Sequence, residues 1–196
     1  MPFTQQVLVR NMGCEDFSKA MGVKEEMNAE AEITDIQRFS VHDGTGIRTL
    51  VFFKGCPLRC IWCHNPETQR KQPQLFCIES KCIHCGACIL ACPKQAVSVK
   101  GEEIVTDRTR CVECGECVKV CFSGARKIVG RKYTVEEVIE KVLQDEVFYK
   151  YSGGGVTLSG GDPVAHIEFA CELLLRLKQL GIHTAIETCG VCCEED

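Results

Sequence analysis

The stretch "GCPLRCIWCHNPE" at residues 55–67 carries three cysteines, Cys56, Cys60 and Cys63, in a C-x3-C-x2-C spacing. Thiolates on so short a loop can each hold one iron of a [4Fe–4S] cube. Three of them leave the fourth iron without a protein ligand. An open coordination position is what metal catalysis uses, whereas a closed set of four suits structure or electron transfer. On spacing alone, a zinc knuckle that borrows His64 as its fourth ligand is the competing reading.

A second group of cysteines is duplicated. "CIHCGACILACP" at 82–93 recurs as "CVECGECVKVCF" at 111–122, so Cys82, Cys85, Cys88 and Cys92 have counterparts in Cys111, Cys114, Cys117 and Cys121. Paired C-x2-C-x2-C-x3-C runs are the spacing of bacterial two-cluster ferredoxins, in which the fourth cysteine of each run ligates the other cluster. That likeness groups Cys82, Cys85 and Cys88 with Cys121, and Cys111, Cys114 and Cys117 with Cys92. Pro93 fits the ferredoxin pattern; Phe122 departs from it without removing a ligand. Zinc is again the alternative metal. Cys14, Cys77, Cys171, Cys189, Cys192 and Cys193 belong to neither pattern. Cys171 is expected to pack inside a helix face, since a free cysteine behaves as a small hydrophobe.

The third feature is "SGGGVTLSGGDP" at 152–163. Glycine turns at strand ends let backbone approach a ligand and present free N–H groups. The plainer reading is a strand-to-helix turn with Asp162 as its N-cap. Asp43 and Arg48, in "DGTGIR", are expected to shape a loop rather than do chemistry. His42, His84, His166 and His183 carry no assignment.

These residues need elements to position them. "IRTLVFFK" (47–54) reads as a buried strand. "TVEEVIEKVLQDEVFYK" (134–150) reads as one helix, with Thr134 as N-cap, Glu137 completing a capping box, and Val135, Val138, Ile139, Val142 and Leu143 on one apolar stripe. "GGGVTLSGG" gives a short strand. Asp162 and Pro163 then open a helix that runs to about Leu180 and stops at Gly181. "IHTAIET" (182–188) is a further strand. Strands joined through helices predict a parallel sheet with its site at the strands' C-terminal ends. Cys56, the turn at 159–161, and Glu187 with Thr188 would then share one face. Short β pieces, "AVSVK" and "EEIVTD", separate the two cysteine runs.

The chain has 196 residues, 17 cysteines and a formal net charge of −4. Mixed charges argue against nucleic acid or a polybasic membrane surface as partner. No apolar run approaches the roughly 18 residues of a membrane span. The opening "MPFTQQVLVRN" lacks a signal-peptide core, so a cytoplasmic location is expected. Reduced thiols in that compartment bind metal rather than form disulfides. Residues 1–32 read as a polar extension, with Met27 as an alternative start.

Taken with the motifs above, "DIQRFSVHDGTGIRTLVFFKGCPLRCIWCHNPETQ", "FYKYSGGGVTLSGGDP" and "GIHTAIETCG" resemble the glycyl-radical-enzyme activating enzymes, radical S-adenosylmethionine proteins of the type with a ferredoxin-like insert. The likeness covers about residues 33–190. "NPETQ", "ARKIVG" and "GGDP" look closest to the branch serving benzylsuccinate synthase. Two departures are a Thr in "DGTGIR", where the family has Pro, and an Asp in "GGD", where it has Glu. The resemblance implies an α/β chain: a partial (β/α) radical-SAM barrel, truncated after its third clear strand, with an inserted two-cluster ferredoxin-like α+β domain. The expected divisions are 1–32, 33–72, 73–128 and 129–196. It implies three [4Fe–4S] clusters, the first on Cys56, Cys60 and Cys63. Trp62, Cys63 and His64 would lie beside the adenine of S-adenosylmethionine, Trp62 having core packing as its alternative. Gly160, Gly161 and Asp162 would contact the methionine end. Glu187 would sit near the cosubstrate and a monovalent cation, or else be a solvated strand-end carboxylate. The implied partners are a glycyl-radical enzyme and a ferredoxin or flavodoxin donor. The competing functions are a ferredoxin-type electron carrier and an inactive truncated remnant.

Overall fold

The computed structural model describes residues 29–191. These residues form two compact units: Pro73–Val129, and the flanking segments on either side. Cys14, Met27, Cys192 and Cys193 lie outside the described residues, as does most of the expected extension.

The flanking unit is built on a five-stranded sheet. Its strands are β1 (Glu30–Ser40), β2 (Arg48–Phe53), β7 (Arg131–Thr134), β8 (Gly155–Gly160) and β9 (His183–Ile186), in spatial order β7-β1-β2-β8-β9. The parallel sheet expected from the sequence is present as β2, β8 and β9, in register Phe53↔Gly160 and Leu158↔Ile186. Strands β1 and β7 are antiparallel additions that the sequence reading did not anticipate. Residues 30–32 therefore belong to the sheet and not to an extension. Alternation explains it: Ala31 and Ile33 point into the core at 2% and 1% exposure between polar neighbours.

Helix α3 (Val135–Leu143) starts as expected. The Thr134 side chain accepts from the Glu137 N–H while the Glu137 carboxylate accepts from the Thr134 N–H, a full capping box. Val135, Val138, Ile139 and Val142 are buried, and Leu143 is exposed. The single helix expected over 134–150 is two: α4 (Glu146–Ser152) follows a break at Gln144 and Asp145. Asp145 is buried there, bound by the Arg38 guanidinium and by the Thr49 hydroxyl at 3.2 Å. Tyr149 joins the same network by donating to Thr49 at 2.6 Å.

After β8, Asp162 caps a short 3-10 turn, Pro163–His166, that runs into helix α5 (Ile167–Gln179). Phe169, Ala170, Leu173 and Leu177 of α5 join Val51, Phe53, Val156, Leu158 and the buried face of α3 in the main core. Gly181 follows α5 in the left-handed region, φ 71°.

The unit Pro73–Val129 is α+β and internally repeated. Strand β3 (Gln74–Cys77) pairs antiparallel with β6 (Arg126–Val129), and β4 (Val97–Lys100) with β5 (Glu103–Thr106). Helices α1 (Ala87–Leu90) and α2 (Glu116–Lys119) occupy equivalent places, each entered through a left-handed glycine, Gly86 and Gly115. The backbone repeats at finer detail too. His84 and Glu113, at φ 54° and 56°, are counterparts, and so are Gln95 and Gly124, at φ 50° and 65°.

Candidate functional site

Because β2, β8 and β9 run parallel, their C-terminal ends emerge together, and each leads into one candidate segment. The cysteine loop leaves β2. Its root closes on itself: the Gly55 N–H donates to Thr68 O at 2.6 Å and the Cys56 N–H to Gln69 O at 3.2 Å. Buried Lys54 donates to Glu67 O at 2.6 Å, and the His166 ring meets Lys54 O at 2.6 Å. Burial lowers the His166 pKa, partly offset by that carbonyl, which favours a neutral ring. Within the loop, Arg59 donates to Cys56 O at 2.7 Å, and the Cys63 N–H to Cys60 O at 3.2 Å. Cys56, Cys60 and Cys63 are half-buried.

The loop's apolar tip faces solvent, with Ile61 96% and Trp62 75% exposed. Core packing of Trp62 is thereby excluded. His64 is exposed as well.

The glycine turn after β8 is docked on the root of this loop. The Gly161 N–H donates to Phe53 O at 2.9 Å and the Asp162 N–H to Gly55 O at 2.8 Å. These two amides are engaged within the protein, contrary to the expectation of free donors. The glycines are needed for close approach: a Cβ at Gly161 would lie 2.3 Å from Gly55 O, and one at Gly160 2.6 Å from Phe53 N. Gly160 also sits at φ 101°.

Asp162 is fully buried and binds all three segments together. Its carboxylate accepts from the Val164 N–H at 3.0 Å, the Thr188 hydroxyl at 2.9 Å, the Cys189 N–H at 2.9 Å and the Cys189 thiol at 2.7 Å. The N-cap role expected for Asp162 is therefore present, and the same carboxylate ties β8 to the segment beyond β9. Loss of solvent around the Cys189 sulfur and its bond to Asp162 push that thiol up to about 12. Glu187 is not simply solvated: its carboxylate accepts from the Ser159 hydroxyl at 2.6 Å.

Arg48 and Asp43 do shape the "DGTGIR" loop. The buried guanidinium donates to the Thr157 hydroxyl at 2.6 Å and to Val156 O at 2.7 Å, and Thr157 donates to Asp43 O at 2.9 Å. Burial lowers the Arg48 pKa. Sequence reasoning missed the network roles of Asp145, Thr188 and Cys189. The "ETCG" run was the available signal for the last two.

In the repeated unit, Cys92, Cys111, Cys114 and Cys117 line one open hollow together with Leu75, Val97 and Gly115. These are the four cysteines that the crossed ferredoxin pairing groups together. The donor set fits one iron–sulfur cluster: three thiols from one run and the fourth from the other. The Cys92 sulfur accepts from the Ala96 N–H at 3.2 Å, and amides of residues 94–97 lower its pKa. Cys85 is exposed, Cys88 is buried, and Cys82 and Cys121 are half-buried. Cys77, which had no assignment, packs against the buried core of the same unit, and Cys171 is half-buried. Among the described residues, no three His, Cys, Asp or Glu side chains converge on a single-ion site. Nor, among them, is any helix long and apolar enough to cross a membrane.

Residues 81–125 match the family model described as a 4Fe-4S dicluster domain. The chain is 51% identical over 166 residues to the trans-4-hydroxy-L-proline dehydratase activating enzyme of Clostridioides difficile, covering 84% of this chain and 55% of that protein. It is 51% identical over 161 residues to the benzylsuccinate synthase activating enzyme of Thauera aromatica, covering 80% and 49%. It is 47% identical over 169 residues to the choline trimethylamine-lyase activating enzyme of Oleidesulfovibrio alaskensis, covering 85% and 54%. The chain spans about half the length of the curated relatives it matches.

Proposed function

We propose that this chain, which matches glycyl-radical enzyme activating enzymes at 47–51% identity over about half of their length, is a radical S-adenosylmethionine enzyme of that kind, one that installs a glycyl radical on a partner glycyl-radical enzyme. The observation that carries this reading is the junction of three strand ends: Asp162 bonds to Gly55 O at the cysteine loop and to Thr188 and Cys189 beyond β9. Such a junction at the C-terminal edge of parallel strands is where α/β sheets hold ligands. In this reading the sheet is part of a radical-SAM barrel, and residues 73–128 form a ferredoxin-like insert between its segments 33–72 and 129–196.

A [4Fe–4S] cluster on Cys56, Cys60 and Cys63 supplies, when bound, the single electron that cleaves the C–S bond of S-adenosylmethionine. The chemistry it would supply there is reductive cleavage of bound S-adenosylmethionine and, through it, removal of one hydrogen atom from a glycine of the partner, with methionine and 5′-deoxyadenosine as the small products. The chain's own residues hold the cosubstrate. Trp62 and His64, exposed beside Cys63, would flank the adenine. The Cβ positions of Gly160 and Gly161 are filled by the Phe53 and Gly55 backbone, so these glycines would meet the methionine end through their half-exposed backbone. The amides of Gly161 and Asp162 already have partners, so Glu187 would share that contact. The buried Asp162 carboxylate acts as a positioning group that fixes the turn. Eight further cysteines, Cys82, Cys85, Cys88, Cys92, Cys111, Cys114, Cys117 and Cys121, would hold two clusters that pass electrons from a ferredoxin or flavodoxin.

Relatives named for unrelated partner enzymes match this chain about equally well, so the partner is proposed as a class. Anaerobic reconstitution tests the whole reading. About twelve irons per chain, from three cubes of this type, with 5′-deoxyadenosine formed under dithionite, is the expected result. About eight irons and no 5′-deoxyadenosine would leave an electron carrier in its place.

A further inference from the structure

Arg126 opens β6 in the repeated unit, and only 5% of it is exposed. Its guanidinium donates to the Thr106 hydroxyl at 2.9 Å and lies 4.0 Å from the Cys117 sulfur. In the β3–β6 register Arg126 stands opposite Cys77. Among the described residues no carboxylate forms an ion pair with it. A buried charge with no counter-charge is costly, so the fold needs a reason to keep it. The sulfur that its guanidinium faces, Cys117 Sγ, belongs to the cysteine set that lines the hollow.

The internal repeat supplies a control. Residue 97 is the counterpart of residue 126, and it is Val97, 4% exposed, opening β4 opposite Thr106 as Arg126 opens β6 opposite Cys77. A valine therefore satisfies packing at this position in one half. The other half carries a cation in the same place. Packing does not demand it.

We propose that Arg126 is the buried counter-ion of the cysteine set Cys92, Cys111, Cys114 and Cys117, stabilising its cluster in the reduced state and so raising that cluster's reduction potential. The inference rests on reading the repeat as two [4Fe–4S] sites. Reduction adds one electron to a cluster from a low-potential one-electron donor, and no bond forms or breaks. That added negative charge is what a nearby cation favours, and cluster potentials respond to local charge and to hydrogen bonds at sulfur.

The experiment is a dithionite potentiometric titration, followed by electron paramagnetic resonance, of the reconstituted full chain as wild type, Arg126→Val and Arg126→Lys. Arg126→Val installs the residue the other half already uses. The expected result is unchanged iron content and at least a tenfold weaker one-electron reduction of one cluster, about 59 mV lower, with Arg126→Lys recovering most of the shift. Two clusters with unchanged potentials in Arg126→Val would overturn the proposal. If Arg126→Val loses iron while Arg126→Lys keeps it, the charge is required for loading and the proposal stands. If Arg126→Lys loses iron as Arg126→Val does, charge is not the cause and the proposal falls. Absence of the two clusters from wild type would instead overturn the reading of the repeat.

Discussion

At the scale of single residues, Asp162 and Tyr149 show how much a buried polar group is asked to do. The Asp162 carboxylate, itself fully buried, is shared among donors from two segments. Asp162→Asn replaces one acceptor oxygen with a donor and sets it against at least one of those donors. A loss of about 1–3 kcal/mol is expected, read by denaturant unfolding of the iron-free chain. Tyr149 gives a pH signature. Burial, partly offset by its bond to Thr49, raises its phenol from 10.0 to about 12. A raised folded-state pKa means its contribution is complete below pH 10 and is lost as pH climbs toward 12. The difference in melting temperature between wild type and Tyr149→Phe should be flat below pH 10 and shrink above it. A difference that does not change across that window would contradict the assignment. Neither residue announced itself fully in the sequence. Asp162 was legible as an N-cap, but its bonds to Thr188 and Cys189 span β9 and need the fold. Asp145 was hidden because a lone acid on a helical pattern reads as solvent-facing until Arg38 and Thr49 arrive from distant strands.

At the scale of elements, the glycine turn and the cysteine loop behave as one object. A methyl group at residue 161 would meet the Gly55 and Thr68 carbonyls, both backbone atoms that cannot move without taking the loop along. Gly161→Ala should therefore displace Cys56. Iron content is expected to fall from about twelve to about eight per chain as one of three such cubes is lost, and 5′-deoxyadenosine formation should disappear with it. The start of α3 offers a separate check: Thr134→Ala removes one arm of the capping box and should cost about 1 kcal/mol, seen as a lower unfolding midpoint. Strand β2 was legible from its β-branched and aromatic residues, and β8 from the glycine turns that bound it. Strand β1 was not, because "EAEITDIQRFS" buries only Ala31 and Ile33 and presents charge elsewhere. Helices α3 and α4 read as one because no Gly or Pro separates them in the sequence, while in the fold Asp145 turns inward at the break to meet Arg38 and Thr49.

At the scale of the whole molecule, the two units differ in what holds them. The sheet unit buries a large aliphatic and aromatic core that includes Phe53, Phe169, Leu173 and Leu177. The buried cluster of the unit Pro73–Val129 is Leu75, Cys88, Val97 and Cys117, so half of that cluster is thiol. Metal binding can supply the folding free energy that such a core lacks. Chelation of iron should open Pro73–Val129 to protease while the sheet unit stays resistant. Equal cleavage of both units would argue against this division of labour. One feature of the cysteine loop also makes the chain its own instrument. Trp62 is the only tryptophan among 196 residues, and it stands in water between Cys60 and Cys63, 75% exposed. Its fluorescence should therefore be that of a hydrated indole in the iron-free chain, and should dim as iron and sulfide reach the adjacent thiols. In Cys63→Ser that dimming should be lost. Filling of this one loop can then be followed in real time by emission, with no added label.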